Sequence, residues 1–245
     1  MLPNGYSRQW FTTFLGRIDP AIVAREVAFL ERQLGGAKRM LDLCCGPARH
    51  AEPLSRAGRQ VIGVDVDAAA LHDARKRAPD ASFVRGDMRA LPLPAGAVDA
   101  VICMWQSFGQ FDAATNQSVL AEIRRVLLPG GLAILDVYER DFHASRLGER
   151  VIERDGVRVQ ERRMMHGTRL AAHLRYESDG SEDVFEWQLY TASELAQLGA
   201  SLGFELRLAC AEFDEQIPAS AEHARMQIVF NRLSEDKSRS LATLG

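Results

Sequence analysis

Over the first 137 residues, short apolar runs alternate with stretches of helical periodicity. Ile22, Val23, Val27, Leu30 and Leu34 recur at helical spacing behind Pro20, and Gly35-Gly36 ends the run. Arg39 to Cys44 reads as a first strand that stops at the turn Gly46-Pro47. A helix over about Arg49 to Ala57 is closed by Gly58, and Val61 to Val64 is a second strand. Ala68 to Ala78 predicts a helix closed by Pro79, and Ser82 to Arg85 and Ala97 to Met104 predict strands three and four. A helix from about Ala114 to Leu128 ends at Pro129-Gly130-Gly131, and Leu132 to Val137 is strand five. Near-continuous apolar strands alternating with helices predict an α/β fold, with a parallel sheet covered on both faces and right-handed crossovers.

The pattern changes after Glu139. From about Arg150 to Tyr190 the signals are those of antiparallel strands, with a hairpin turn at Asp155-Gly156 and further turns at His166-Gly167-Thr168 and within Ser178 to Asp183. These roughly 40 residues are too few for a robust core of their own, so they predict a small antiparallel insertion after strand five. The α/β pattern then resumes. Thr191, with Glu194 three residues on, caps a helix over Ala192 to Leu202. Phe204 to Phe213 and Arg225 to Asn231 are the last strands, and the polar tail from Ser234 is expected to fray. The organisation expected is one domain over residues 1–245, with an aromatic N-terminal helical lid over 1–35 and the insertion at about 140–190.

Composition narrows the function classes. The chain has 245 residues, 47% hydrophobic and 26% charged, which is globular composition. Thirty Lys and Arg against 33 Asp and Glu leave a net charge of −3, which argues against a nucleic-acid partner. No apolar run approaches a membrane span and no secretory signal opens the chain. Four cysteines form neither a disulfide framework nor a C-x-x-C pair, so no metal is expected and a reducing cytoplasmic location is. A monomer or homodimer is expected.

The most informative stretch is Leu41-Asp42-Leu43-Cys44-Cys45-Gly46-Pro47-Ala48-Arg49-His50. An acid in the first strand precedes a turn of small residues and a helix N-terminus. Gly46 lets a ligand approach the backbone. A dinucleotide pyrophosphate needs G-x-G-x-x-G at this turn, and Gly46 is its only glycine. An acid here suits a cationic ligand better. The stretch resembles motif I of the class I S-adenosylmethionine-dependent methyltransferases, acidic-x-Gly-x-Gly-x-Gly, with Asp42 as the acid and Gly46 as the central glycine. Cys44 and Ala48 depart from the outer glycines. Three more segments resemble that family in order: Val61-Ile62-Gly63-Val64-Asp65-Val66-Asp67, Arg85-Gly86-Asp87-Met88, and Leu127-Leu128-Pro129-Gly130-Gly131.

The resemblance implies a Rossmann-like, seven-stranded, mostly parallel sheet of order 3-2-1-4-5-7-6, with Arg225 to Asn231 as the antiparallel strand seven. It implies S-adenosylmethionine as cofactor and S-adenosylhomocysteine as product. Asp65 is then placed on the ribose hydroxyls and Asp87 on the adenine amine, with Val66, Met88, Cys44, Cys45, Gly46, Asp42 and Met104 completing the site. Tyr6 and Trp10 are expected to close over it. Asp87-Met88-Arg89, the stretch Met104 to Phe111 and the insertion are similar to deoxysugar amine and glycine-type N-methyltransferases. That implies methyl transfer by in-line displacement to an N or O nucleophile of a small-molecule acceptor, with positioning supplying much of the acceleration.

Ligands of open parallel sheets lie beyond the carboxyl ends of the strands, with the acceptor expected over strands four and five. Trp105, Gln106, Phe108 and His173 are candidate acceptor contacts. His143, Tyr138 and Glu186 are candidates for proton transfer. Two alternatives remain at this level. One is a non-methylating binding protein on the same fold. The other is an RNA or protein methyltransferase, against which the absence of an Asn-Pro-Pro-Tyr-like motif after strand four weighs.

Overall fold

The computed structural model describes residues 4–16 and 18–234, so the tail from 235 and residues 1–3 of the expected lid lie outside the described residues. The main sheet is built from β1 (Arg39–Leu43), β2 (Gln60–Asp65), β3 (Ser82–Arg85), β4 (Val98–Cys103), β5 (Leu127–Tyr138), β10 (Phe204–Ala211), β11 (Asp214–Pro218) and β12 (Arg225–Arg232). Its order is β3-β2-β1-β4-β5-β12-β10-β11. The first five strands are parallel, and β12 runs antiparallel to both β5 and β10. This is the expected 3-2-1-4-5-7-6, with β12 as strand seven and β10 as strand six.

An eighth strand was not expected. The chain reverses at Glu212-Phe213, both at positive φ (56° and 60°), and β11 pairs antiparallel along the outer edge of β10. Its residues, Asp-Glu-Gln-Ile-Pro, carry charge and a proline, as suits an exposed sheet edge, and so give no apolar strand signal. The helix after β4 also ends sooner than its periodicity suggests. Here α5 spans Ala113–Val126, and Leu127 already belongs to β5 because the Pro129-Gly130-Gly131 turn is absorbed as an irregularity in the β4–β5 register.

Pleating divides the apolar strands between two cores. In β1, Leu41 and Leu43 face one side and Met40 the other. In β4, Val101 and Cys103 are separated in the same way from Ala100 and Ile102. Helix α2 (Pro20–Leu34) starts at Asp19, whose carboxylate accepts from Ala21 N at 2.8 Å, and stops at Gly35 (φ 50°). It buries Phe29, Leu30 and Leu34 on the second core, together with Glu26. Helices α3 (Ala51–Arg56) and α4 (Ala68–Arg77) follow β1 and β2, while α7 (Ala192–Ser201) begins with the expected Thr191–Glu194 capping box. Among the described residues no helix is long and apolar enough to cross a membrane.

After β5, a short helix α6 (Arg140–Ala144) leads into a separate antiparallel sheet, β6 (Gly148–Arg154), β7 (Val157–His166), β8 (Arg169–Tyr176) and β9 (Glu182–Gln188), in sequential order. Asp155 and Gly156 both take positive φ, 50° and 77°, as a two-residue hairpin turn requires. The N-terminal segment, with α1 (Arg8–Trp10) running into a wider helical turn over Phe11–Leu15, packs Tyr6, Trp10 and Phe14 on the inner face of this sheet. Tyr6 stacks on Phe185 at 4.8 Å, and burial of that phenylalanine is worth about 1.5–3 kcal/mol. Asn4 fastens the segment as a strand would, donating to Glu186 O at 2.9 Å and accepting from Glu186 N at 2.8 Å. Ser7 Oγ adds a bond to Asp183 at 2.6 Å.

Candidate functional site

The carboxyl ends of β1, β2 and β4, the N-terminal segment and α2 together enclose a cavity of about 1120 Å3. That lies just above the 300–1,000 Å3 typical of a site for one drug-sized ligand. The strand ends bring together Asp42, Cys44, Cys45, Gly46, Asp65 and Val66. Asp87, Met88, Met104 and Trp105 continue the wall, and Tyr6 and Trp10 cover it. All of the residues expected to hold a cofactor, and one of the four expected to touch an acceptor, therefore line one cavity.

The loop after β1 adopts positive φ at Cys44 (59°), Gly46 (50°) and Ala48 (62°). These are the three positions at which motif I carries glycine. The backbone has kept the left-handed geometry while two side chains have been accommodated, at a cost on the order of 1–2 kcal/mol per non-glycine residue. Gly46 differs from its neighbours. A Cβ there would meet nothing within 4 Å, and Cys44 and Ala48 show that the φ alone does not exclude a side chain. What a Cβ would occupy is the cavity itself.

Four carboxylates line this cavity, Asp42, Asp65, Asp67 and Asp87, and three of them differ in state. Asp65, at the end of β2, accepts from Gly46 N at 2.8 Å and from Asp67 N at 2.9 Å, so it shapes the loop and retains lone pairs for a ligand. Burial raises its pKa, against the effect of those two backbone donors. Asp87 is held by Arg89 at 2.6 Å, which lowers its pKa. Asp42 is 1% exposed, and its Oδ2 has no hydrogen-bond partner. Burial pushes its pKa up to about 7, with the Arg49 charge opposing and Asp65 adding to the rise. Arg49 is its counterpart: its buried Nε also lacks a partner, and it too lines the cavity. Among the described residues this pair offers one anion and one cation with unused hydrogen-bonding capacity.

Behind the wall lies a cluster that the sequence did not reveal. Glu26 is fully buried and accepts from His50 Nε2 at 2.8 Å and from Trp105 Nε1 at 2.5 Å, with Arg49 Nη2 at 4.0 Å. Burial opposes its charge, but these partners outweigh it and hold its pKa below the ordinary value. The Arg49 guanidinium sits over the Trp105 ring at 3.9 Å. Trp105 and Gln106 both take positive φ (54° and 57°), and Asp136 holds that turn by accepting from Trp105 N at 3.0 Å and from Gln106 N at 2.9 Å. Asp136 is in turn paired with Arg225 and bonded to Gln227 at 2.8 Å. The one available signal was Glu26 itself, a charge three residues from Val23 and four from Leu30 on an apolar helical stripe.

The remaining candidates lie outside the cavity. Gln106 uses its amide on backbone, donating to Phe108 O at 3.1 Å and accepting from Tyr138 N. Phe108 is fully buried against Tyr190 in the core. Tyr138 packs between His143 (4.5 Å) and Trp187 (5.4 Å), and burial raises its pKa. His143 is 2% exposed, with Nε2 on Ala224 O at 3.1 Å and Nδ1 on Arg163 at 2.9 Å, and burial followed by the Arg163 charge lowers its pKa to about 4. Glu186 pairs with Arg169 at 2.8 Å. His173 is exposed on the outer face of the inserted sheet, between its cross-strand neighbours Arg162 and Val184. None of these six lines the cavity, and the side chains of Gln106, His143 and Glu186 are bonded to backbone or to neighbouring side chains.

Residues 40–131 match the model of a family described as a methyltransferase domain. An uncharacterized methyltransferase of Synechocystis is 30% identical over 139 residues, 54% of this chain, and the chain spans 65% of that relative's length, just under two thirds. The dTDP-3-amino-3,4,6-trideoxy-alpha-D-glucopyranose N,N-dimethyltransferase of Streptomyces venezuelae is 30% identical over 169 residues, 67% of this chain and 70% of that protein. The crystal structure of a S-adenosylmethionine-dependent methyltransferase from Clostridium acetobutylicum shares the fold, with a TM-score of 0.78 over 92% of this chain and 97% of that one, at 13% identity.

Proposed function

The chain belongs to the class I S-adenosylmethionine-dependent methyltransferases, and we propose that it methylates an amine nitrogen of a small molecule. The observation that carries the cofactor half of this reading is that Asp42 and Arg49 line the same cavity wall. An aspartate and an arginine on one cavity wall complement the ammonium and carboxylate of an α-amino acid, the methionine end of the cofactor. Asp65 at the end of β2 fits the ribose hydroxyls, and the space above Gly46 takes the close approach of the ligand. Bound there, S-adenosylmethionine supplies an electrophilic methyl group on a sulfonium.

The protein's own residues bind, orient and exclude water. Asn4, Tyr6 and Trp10 roof the cavity and are fastened to the inserted sheet, so the N-terminal segment acts as a lid, and positioning in a dry site lowers the barrier. Nitrogen is favoured over oxygen by the proton chemistry of the wall, once Asp42 is committed to the cofactor's ammonium. The neighbouring Cys103 thiol and then burial raise the Cys44 thiol, and burial raises the Cys45 thiol and the phenol of Tyr6. His50 is committed to Glu26, and burial lowers its proton affinity. A hydroxyl nucleophile usually needs a stronger base than these, whereas an amine attacks in its neutral form. With all four cysteines as free thiols, the proposal places the enzyme in the reducing cytoplasm.

The test is calorimetric binding of S-adenosylhomocysteine to the wild type and to Asp65→Ala, with its release from S-adenosylmethionine measured over a panel of amines and phenols. Micromolar or tighter binding, weakened by about 1.5–3 kcal/mol in the variant, and turnover on amines are expected. No binding, equal affinity in a folded variant, or turnover confined to phenols each reject the corresponding step of the proposal.

A further inference from the structure

We infer that the methyl acceptor is a lipophilic amine without an acidic group: an amine head on an apolar body, with neither phosphate nor carboxylate. The inference rests on the methyltransferase reading above and narrows its substrate class. It comes from the charges that line the cavity and from what each is already paired with.

Among the described residues, the charged groups on the wall are four carboxylates, Asp42, Asp65, Asp67 and Asp87, against two guanidiniums, Arg49 and Arg77, with the imidazole of His50 beside them. Neither guanidinium is free for an acceptor. Arg77 donates to Glu52 at 2.6 Å. Arg49 lies 4.0 Å from Glu26 and is the partner proposed for the cofactor's carboxylate. His50 is neutralised by the same Glu26 at 2.8 Å. The arginines nearby repeat the pattern, Arg89 on Asp87 at 2.6 Å and Arg169 on Glu186 at 2.8 Å. An acceptor carrying a phosphate or carboxylate would enter a partly enclosed space whose cations are already paired, without a counter-charge, which is costly. An amine needs no counter-charge there, and it attacks as the neutral amine after its proton has left to solvent.

The opposite wall accounts for the rest of the acceptor. The N-terminal segment and α2 contribute Phe11, Leu15, Ile18, Val23 and Val27. Among the described residues on that side none is charged. The amide of Asn4 is spent on the Glu186 backbone. Such a wall rewards an alkyl or aryl body through its buried area. It gives nothing to a diphosphate or to a ring of sugar hydroxyls, so the acceptor differs in class from the nucleotide-linked amino sugar named for the Streptomyces venezuelae relative.

Phenethylamine and phenylalanine differ by one carboxylate and make the test. Binding of each to the protein saturated with S-adenosylhomocysteine is measured by calorimetry, and methylation of each is followed by product release. A thymidine-diphosphate-linked amino sugar is the third probe. Phenethylamine is expected to bind and to react about 100-fold better than phenylalanine, and the nucleotide sugar not to compete. Val23→Arg, or Leu15→Arg if the first does not fold, adds a cation to the apolar wall and is expected to narrow the phenethylamine preference at least tenfold. Equal or better binding of phenylalanine or the nucleotide sugar overturns the inference. So does a protein that binds S-adenosylhomocysteine and none of the amines. Failure to bind S-adenosylhomocysteine at all instead rejects the methyltransferase reading, so the two failures are distinguishable.

Discussion

The indole N–H of Trp105 donates to Glu26 at 2.5 Å, joining the turn after β4 to helix α2 across the base of the cavity. The second oxygen of the same carboxylate takes His50 at 2.8 Å and lies 4.0 Å from Arg49. One buried side chain thus sets the positions of three residues on the cavity wall. The two left-handed residues Trp105 and Gln106 are held in place from the other side by Asp136.

Replacing Glu26 with Gln keeps the shape and removes the charge. The expected loss is about 3–5 kcal/mol of unfolding free energy at neutral pH, because Arg49 is left buried without its anion. Glu26 has a folded pKa held below its ordinary 4.5, so its contribution is complete above pH 4.5 and is lost as the pH falls through the lower folded value. The stability gap between wild type and Glu26→Gln, measured by denaturant titration, therefore stays constant from neutrality down to about pH 5 and closes below that. A gap that closes near pH 7 instead would assign the effect to another group.

Asp42 predicts a different pH range for ligand binding. Its pKa stands at about 7 in the free protein, raised by burial against the Arg49 charge. A cationic group bound against it favours the ionised form, so binding releases a proton below that pH. Affinity for S-adenosylhomocysteine should rise with pH, by up to about tenfold per unit, and level off above about pH 7. Asp42→Asn should bind weakly at every pH and lose the slope. Calorimetry in buffers of differing ionisation heat would count the proton directly, and a flat profile in the wild type would remove Asp42 from the ammonium site.

How far the sequence reached follows from where each contact comes from. Asp42, Asp65, Asp87 and Met88 converge because each ends or follows a strand of a parallel sheet, and strand ends of one sheet share an edge. Their positions along the chain were sufficient. Glu26 was not legible, because a carboxylate on an apolar helical face contradicts the periodicity that identified the helix. Arg225 and Asp136 meet only through the antiparallel register that sets Gln227 against Asp136, a contact between segments about 90 residues apart. The same register turns Arg225 toward Trp105 at 4.9 Å. His173 illustrates the opposite case: on a strand whose neighbours alternate in and out, a one-residue difference decides which face a side chain takes, and this one is exposed.

Gly46 separates backbone strain from ligand contact. Gly46→Ala places a methyl group where nothing lies within 4 Å, so the folded protein should lose only the left-handed penalty of about 1–2 kcal/mol. Cofactor affinity should fall by more than stability does, because the methyl group projects into the space the ligand occupies. Ala48→Gly is the control. It relieves the same φ at a site buried away from the ligand, and should leave stability within about 1 kcal/mol of wild type, since relief and the lost buried methyl offset each other. Thermal melts with and without S-adenosylhomocysteine read both quantities, and parallel losses in the Gly46→Ala variant would place the glycine's role in the backbone alone.

His143 follows β5, where a proton-transfer residue was expected, yet both ring nitrogens are engaged, with Ala224 O and with Arg163. Its pKa, lowered to about 4 by burial and then by Arg163, makes it a neutral structural group at neutral pH. In the unfolded chain the same imidazole takes a proton below about 6.5, so acid favours unfolding through it. The stability it confers is complete above that pH and declines as the pH falls from about 6.5 to about 4, by on the order of 3 kcal/mol in total. His143→Gln can still donate to Ala224 O and accept from Arg163, and it cannot titrate. The variant should be less stable than wild type at pH 7, and the difference should shrink across that interval in denaturant titrations. Methyl transfer at pH 7 should retain its wild-type turnover number once the variant is folded. A drop of 100-fold or more in turnover, with unchanged cofactor affinity, would return His143 to the reaction.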